Sequence, residues 1–374
     1  MSLPTTMKAV VIEGKTAVVK AGLSLPNLPE DYLMIQPTAV AGNPTDWKHI
    51  EYGLGPQGSI EGCDVAGKIV KMGSQVDSTK FHLGDFVYGF VHGASVRSPD
   101  NGAYAEYVAL DSQLAFTAPS SVALSGKDTI PAGKIETYEA AASIPCAWTT
   151  AGGSLFHHYG MKYDWEPAQP QHNFPILIWG GSSVLGQSLI QLAKKYHGYT
   201  KIITVASKKH EAALKAYGAD DVFDYHDSDV IEQIKAKYPV IPHLLDLIST
   251  EKTLNQVYQC APATEDAIIL SYFGLNIEAI PESSRKSNVK IIDTFIYFSL
   301  GFDLPLGGNV LKYDPQYRAD IIKFIQEINP RLYNGDFEAP AIKVYKNGLE
   351  STIQIMKDLE AGKASGEKLV ATFQ

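Results

Sequence analysis

Cysteine is scarce: Cys63, Cys146 and Cys260 stand far apart in 374 residues and form no C-x-x-C pair. A disulfide scaffold and a four-cysteine zinc lobe are therefore excluded. Long apolar runs are also missing. The best stretch, residues 291–300, is flanked by Lys290 and broken by Asp293, so no membrane span is expected. Positive charge is in the minority, 32 Lys plus Arg against 41 Asp plus Glu, and the formal net charge of −9 argues against a nucleic-acid partner. The opening MSLPTTMKAVVIEGK has no basic region before an apolar stretch, and Ala371-Thr372-Phe373-Gln374 matches no retention or lipidation tail. No internal repeat or low-complexity tract occurs. These absences predict a cytoplasmic protein of about two domains with no membrane partner.

What is present is ordinary globular material, 45% hydrophobic and 20% charged, enough for sizeable cores. Residues 7–12, 32–40, 67–72 and 86–90 favour strand, and turn signals such as Gly42-Asn43-Pro44, Gly84-Asp85 and Asp100-Asn101-Gly102 separate them. Short strands at this spacing predict a compact, partly closed β domain. Pro37 inside the second run predicts an edge position there. Residues 138–159, rich in alanine, predict helix with a stop at Pro145.

After a polar connector, residues 175–179 form a short continuous apolar run, as in a strand covered on both faces of a parallel sheet. Helices at 187–196, 211–217 and 230–237 then alternate with strands at 202–206, 222–223, 243–248 and 267–271. That order predicts a doubly wound α/β domain. Helix resumes from about residue 314, through 321–328 and 349–360, before a last strand at 368–373.

The strongest chemical signal is Gly181-x-Ser183-x-x-Gly186, between the apolar strand and a helix. A pyrophosphate needs a tight turn, close backbone approach and the N–H groups of a helix start. Gly181 is expected to supply the turn and Gly186 the close helix–strand packing, while Ser183 adds a hydroxyl in place of the middle glycine. A tight βα turn without a ligand is the alternative. The next strand ends in Ser207-Lys208-Lys209-His210, with no acid until Glu211. A carboxylate there would grip the ribose 2′-hydroxyl of NAD, whereas serine and lysine suit a 2′-phosphate, so NADPH is predicted over NADH.

Seven motifs then occur in order: Asn43-Pro44-Thr45-Asp46-Trp47-Lys48, Gly62-Cys63-Asp64-Val65-Ala66-Gly67, Gly84-Asp85-Phe86-Val87-Tyr88-Gly89, Gly102-Ala103-Tyr104-Ala105-Glu106-Tyr107, Glu139-Ala140-Ala141 with Pro145, Thr149-Thr150-Ala151, and the glycine turn. Together they resemble a zinc-independent medium-chain dehydrogenase/reductase, on the branch holding quinone-oxidoreductase-like enzymes, fungal aldehyde reductases and trans-acting enoyl reductases. The resemblance covers nearly the whole chain, to the closing Ser365-Gly366-Glu367-Lys368-Leu369-Val370.

It implies an α/β protein with a GroES-like, β-rich catalytic domain (1–137, completed by 314–374) and a Rossmann, doubly wound parallel-sheet domain (138–313). It further implies hydride transfer from the nicotinamide in the cleft separating them. Ser182, Ser183 and Val184 fall where the family holds the pyrophosphate; Ser207 to His210 and Tyr225 fall where it holds the adenosine end. Thr150 falls on the nicotinamide side, Lys368 near where the last strand passes the cofactor, and Asn43, Asp46 and Lys48 on the loop facing the ring.

Zinc-dependent relatives carry cysteine where this chain has Asn43, and Gly-His-Glu where it has Gly62-Cys63-Asp64. An amide is a poor zinc ligand, so no metal is predicted. Convergence of Cys63, Asp64 and Cys146 on a metal is the alternative to buried, hydrophobic cysteines. Without zinc, hydrogen-bond donors must face the oxygen where negative charge develops. Lys48 is the first candidate, with Asp46 orienting its loop; Tyr52 and Tyr88 are donors of suitable type. His157-His158 is read as surface or packing, and His92 receives no role. Trp47, Tyr52, Phe295, Tyr297 and Phe298 are candidates for an apolar pocket wall, although 295–300 fit core or a subunit edge equally.

Reduction of small aldehydes or ketones ranks first. Reduction of the C=C bond in enones, enals or quinones ranks second, and a nucleotide-binding protein with little catalysis third. The expected partner is thus a small carbonyl or enone molecule, bound to a monomer or homodimer.

Overall fold

The structure is a computed structural model that describes residues 3–306 and 308–373. Residues 1, 2 and 374 of the two terminal segments read above lie outside the described residues. The chain divides into two compact units, one running to Thr149 and again from Tyr297 onward, the other Thr150–Ile296.

In the first unit β1 (Thr6–Glu13) and β2 (Thr16–Ser24) form an antiparallel hairpin turned at Gly14, whose φ is +62°. β3 (Tyr32–Ala41), α1 (Pro44–Glu51), β4 (Asp64–Met72), β5 (Phe86–Phe90), β6 (Val108–Asp111), β7 (Phe116–Thr117) and β8 (Thr129–Ile130) follow. α2 (Tyr138–Ala142) and α3 (Pro145–Gly152) come next. The helix expected over 138–159 does stop before Pro145, and its last stretch departs from α-helix. Thr137 caps α2 by accepting the Ala140 N–H at 3.1 Å, Pro145 restarts the chain as a first-turn proline, and Gly153–His158 widens into a π turn.

In the second unit β9 (Ile176–Trp179), α4 (Val184–Lys195), β10 (Ile202–Val205), α5 (Glu211–Tyr217), β11 (Asp221–Phe223), α6 (Val230–Lys237), β12 (His243–Asp246), α7 (Glu251–Cys260), β13 (Ala267–Ser271) and β14 (Val289–Asp293) alternate. The strands are parallel, in the order β11-β10-β9-β12-β13-β14. This is the dinucleotide-fold order 3-2-1-4-5-6, whose switch point lies between its first and fourth strands, here β9 and β12. Ile176, Leu177 and Ile178 are fully buried because helices cover both faces of such a sheet. Each contributes about 1.5–3 kcal/mol of apolar burial.

The chain then returns to the first unit through β15 (Leu304–Leu306), β16 (Asn309–Leu311), α8 (Pro315–Asn334), β17 (Ala341–Tyr345), α9 (Leu349–Glu360) and β18 (Glu367–Thr372). β18 lies antiparallel to β3 and parallel to β17, so the carboxyl-terminal strand completes the sheet begun near the amino terminus. The sheet runs β7-β5-β4-β3-β18-β17-β8, with β6 also on β3. α2 packs on β3 and β4, which groups it with this unit.

Pro37 is therefore not at an edge. It lies between the part of β3 paired with β6 (Tyr32 to Ile35) and the part paired with β18 (from Ala39), at a register shift against β4. A bulge in an interior strand removes the demand for its N–H as an edge would.

Among the described residues no helix is long and apolar enough to cross a membrane. The apolar run 291–300 is divided between β14 and a 3₁₀ turn at Ile296–Leu300, in which Tyr297 and Leu300 are buried.

One buried group sets an acid limit. His243 opens β12, stacks on Tyr159 with ring centroids 4.0 Å apart, and its Nδ1 lies 2.9 Å from the Tyr199 hydroxyl. Burial, with a smaller push from His172, lowers its pKa to about 3. The unfolded chain binds that proton near pH 6.5. Stability is thus fully present above about pH 6.5 and is lost as pH falls from there toward 3, by up to about 2 kcal/mol at pH 5. His243→Phe is expected to remove that loss from urea midpoints compared at pH 7 and pH 5; an unchanged loss would place the acid sensitivity elsewhere.

Candidate functional site

Three turns sit side by side at the carboxyl ends of β9, β10 and β11, because Trp179, Val205 and Phe223 are in register. After Trp179 the chain reverses at Gly180, with φ +96°. Gly180, not Gly181, therefore supplies the turn conformation. Gly181 is small for another reason: a Cβ there would strike the buried Thr204 side chain, itself donating to the Ile178 carbonyl at 2.8 Å. A Cβ on Gly186 would come within 2.6 Å of the Gly180 and Gly181 carbonyl oxygens. Gly186 thus packs the helix onto the turn, the role predicted for it.

Ser183 is the N-cap of α4, its hydroxyl oxygen accepting the Gly186 N–H at 3.0 Å. Ser182 lies within the turn, its carbonyl held by Gln187 at 2.9 Å, and Val184 opens the helix. A backbone cradle at the start of a twelve-residue helix, at the sheet's switch point, fits a pyrophosphate.

At the next strand end Ser207 precedes a 3₁₀ turn, Lys208–His210. Lys208 pairs with Glu211 at 3.1 Å, while Lys209 is exposed. The tertiary structure adds an acid that the local reading missed. Asp224, after β11, accepts the Lys208 backbone N–H at 3.0 Å and also holds His226, with Nδ1 at 2.6 Å. Asp224 thus anchors the turn by its backbone. Tyr225 beside it is half exposed and rests against the His226 ring at 4.1 Å.

Asp246, ending β12, is buried and accepts the Ile248 and Ser249 N–H groups, each at 3.1 Å. Only its contact across the sheet to Trp179 reveals it as part of this rim. Thr150 lies at the other end of the unit's sequence, its carbonyl accepting the Ser154 hydroxyl at 2.8 Å. His158 accepts or donates to Thr294 at 2.8 Å, a packing contact.

The first unit brings Asn43, Asp46 and Lys368 together. Asp46, at the third position of α1, accepts the Asn43 N–H at 2.7 Å and the Tyr104 hydroxyl at 2.6 Å on one carboxylate oxygen. Burial outweighs these bonds and raises the Asp46 pKa to about 7. The Lys368 ammonium, 5% exposed, donates to Asn43 Oδ1 at 2.6 Å and to Asp64 Oδ2 at 2.9 Å. Asn43 Nδ2 reaches the same Asp64 oxygen at 2.9 Å, and the Cys146 N–H takes the other at 2.8 Å. Lys368 is thus committed inside this unit. Lys48 on α1 is half buried, its Nζ 5.9 Å from the Trp47 ring centre, and burial lowers its pKa.

A zinc ion does not fit these donors. The Asp64 oxygens and Asn43 Oδ1 are already bonded to an ammonium and two N–H donors, and Cys63 Sγ shares a hydrogen bond with the Tyr297 hydroxyl at 3.1 Å. Among the described residues no group of three or more His, Cys, Asp or Glu is placed to hold a metal. His92, to which the sequence assigns nothing, is buried here and stacks on Tyr297 at 4.1 Å. Tyr52 is exposed, and Tyr88 is buried against Phe116 at 5.0 Å.

Residues 29–120 match the family model for the alcohol dehydrogenase GroES-like domain, and residues 184–299 the model for zinc-binding dehydrogenases. The chain is 50% identical over 373 residues to the Saccharomyces cerevisiae protein YNL134C, covering 100% of this chain and 99% of that one. It is 34% identical over 232 residues to the trans-enoyl reductase TOXD of Cochliobolus carbonum, covering 62% of this chain and 71% of that one. The solved quinone oxidoreductase of Coxiella burnetii superposes with a TM-score of 0.67 at 22% identity, over 99% of this chain and 100% of that one, and shares its fold. Sequence kinship and fold agree with the strand order and glycine cradle, and the chain belongs to the medium-chain dehydrogenase/reductase family of NAD(P)H-dependent oxidoreductases.

Proposed function

We propose that this oxidoreductase uses NADPH to reduce small aldehydes and ketones and does so without a metal ion. The observation that carries the reading is the start of α1. There Lys48 supplies a cationic hydrogen-bond donor, on a segment whose Asn43 oxygen is already taken by Lys368 and whose Thr45 hydroxyl is held by His49. A carbonyl oxygen that becomes negative during reduction needs such a donor.

In this reading Gly181, Ser182, Ser183, Val184 and Gly186 hold the pyrophosphate. Ser207, Lys208, Lys209 and His210 take the 2′-phosphate, Tyr225 the adenine side and Thr150 the nicotinamide side. When bound, the reduced nicotinamide supplies a hydride. The chain's own task is to hold and protonate the oxygen. Lys48, whose proton is loosened by burial, faces that task; Asp46 and Asn43 fix the helix start that carries it, and Lys368 acts through Asn43.

A second reading, reduction of a C=C bond conjugated to a carbonyl, is favoured by the trans-enoyl reductase that is 34% identical to this chain. The same donor would stabilise the enolate.

NADPH oxidation measured with hexanal and cyclohexanone beside 2-cyclohexen-1-one separates the two. Turnover of the saturated carbonyls is expected; turnover of the enone alone selects the second reading. Tight NADPH binding with no turnover of any of the three would overturn both. Titration of each reduced coenzyme is expected to show NADPH bound at least about tenfold more tightly, because a 2′-phosphate gains charge-assisted hydrogen bonds. Tighter NADH binding would overturn the cofactor assignment.

A further inference from the structure

His92 is a buried polar side chain that the roles above leave unused. It follows β5 and is 6% exposed, and neither ring nitrogen has a hydrogen-bond partner. Burial, with a smaller push from His49, holds its pKa well below the usual histidine value. The ring is therefore neutral and carries one N–H donor. Native interiors pair nearly all their buried donors, so an unused one points to a bond completed by a ligand.

The backbone on both sides of it is fixed. Val91 donates its N–H to the Cys63 carbonyl at 2.9 Å, and Gly93 donates its own to the Cys63 sulfur. A Cβ at Gly93 would strike the Gly62 backbone at 2.4 Å, so no larger residue fits there. Ala94 donates to the Ile60 carbonyl at 2.6 Å and takes φ +54°, a left-handed conformation that is costly for alanine. The His92 ring stacks on Tyr297 at 4.1 Å and meets the His49 ring edge-on at 5.8 Å.

The polar neighbours are committed elsewhere. The Tyr297 hydroxyl meets Cys63 Sγ at 3.1 Å, and the Tyr104 hydroxyl meets Asp46 at 2.6 Å. His49 Nε2 lies 3.2 Å from the Thr45 hydroxyl, and its Nδ1 lies 3.7 Å from the buried Glu61. The fold thus holds in place a donor that none of these groups accepts.

We propose that the His92 imidazole N–H donates to the substrate's carbonyl oxygen and stabilises the negative charge that builds there during reduction. The proposal rests on the reductase reading above. The hydride adds to the carbonyl carbon, the C=O π pair moves onto the oxygen, and the Lys48 ammonium supplies the proton that completes the alcohol. Lys48 regains a proton from water, and His92 keeps its own throughout. A preorganised donor shielded from water acts strongly on charge that develops in the transition state. An uncharged ring gives a carboxylate no positive charge to pair with, so the substrate class is an uncharged aldehyde or ketone. Both nitrogens are closed off from solvent, and the bond is made as the substrate enters, since catalytic hydrogen bonds often tighten only in the loaded complex.

Two measurements on the full chain test this. His92→Phe keeps a flat ring and removes the donor; with hexanal and NADPH it is expected to lower kcat about 100-fold while the NADPH dissociation constant stays within twofold. His92→Gln restores an N–H and is expected to recover at least about tenfold of that loss. Wild-type kcat in folded His92→Phe, or a glutamine variant no better than phenylalanine, would overturn the assignment and leave the reductase reading intact. The second measurement follows the His92 ring by NMR in protein carrying isotope-labelled histidine, with butyramide as a carbonyl probe that takes no hydride. The ring N–H resonance is expected to move when butyramide joins the NADPH complex. A ring that moves with NADPH alone belongs to the coenzyme, and one that moves with neither is a packing residue; each result would overturn the proposal. A wild-type protein that binds NADPH and reduces neither hexanal nor 2-cyclohexen-1-one would instead defeat the reductase reading. Should His92→Phe fail to fold, the wild-type ring resonance still decides.

Discussion

Lys368→Met is expected to destabilise the protein by about 3–5 kcal/mol, a drop of roughly 4–6 °C in thermal midpoint, although it only exchanges one long side chain for another. The cost comes from what is left behind. Asp64 is fully buried, and Lys368 is its sole cationic partner among the described residues, at 2.9 Å. With the ammonium gone, the carboxylate keeps the Asn43 amide and the Cys146 N–H but no positive charge. Asn43 loses its 2.6 Å bond at the same time, so the start of α1 loosens. Adding Asp64→Asn to Lys368→Met removes the stranded charge and is expected to recover much of the loss. A double-mutant cycle on unfolding midpoints reads the coupling. If Lys368→Met unfolds within about 1 kcal/mol of wild type, the ammonium is not what balances Asp64.

Gly186→Val is expected to weaken NADPH binding at least about 100-fold by calorimetric titration and to cost about 1–3 kcal/mol of stability through overpacking. A Cβ at Gly186 meets backbone on three sides, 2.6 Å from the Gly180 oxygen and from the Gly181 Cα and oxygen. No rotamer relieves a collision with backbone. Either α4 retreats from the turn or the turn opens, and each moves the N–H groups proposed to receive a pyrophosphate. Undiminished affinity in this variant would remove the cradle from the binding site.

Much of the second unit is legible locally. Its strands are short apolar runs and its helices carry periodic apolar faces, so residues 211–217, 230–237 and 267–271 are read with the bounds found for α5, α6 and β13. α7 escapes the reading although Leu254, Val257 and Tyr258 recur at helical spacing behind the Thr250 cap. The glycine motif locates the turn but assigns its conformation to the wrong glycine. A G-x-S-x-x-G pattern carries no φ, and Gly180 and Gly181 are both glycine for different reasons.

The first unit is less legible because its contacts are long-range. Asp64 and Lys368 stand 304 positions apart, and Asn43 and Lys368 325. Glu61, His49, His92 and Tyr297 likewise come from separate segments, and each alone looks like a packing or surface residue.

By itself, then, the sequence determined the class of fold, the nucleotide turn and the absence of a cysteine at position 43, since periodicity, glycine spacing and residue chemistry are local properties. Tertiary structure decided which charge balances Asp64, that Pro37 lies inside a sheet, and that a carboxyl group is buried beside His49. Each of those depends on which distant segment packs against which, and on how far water is kept out when it does.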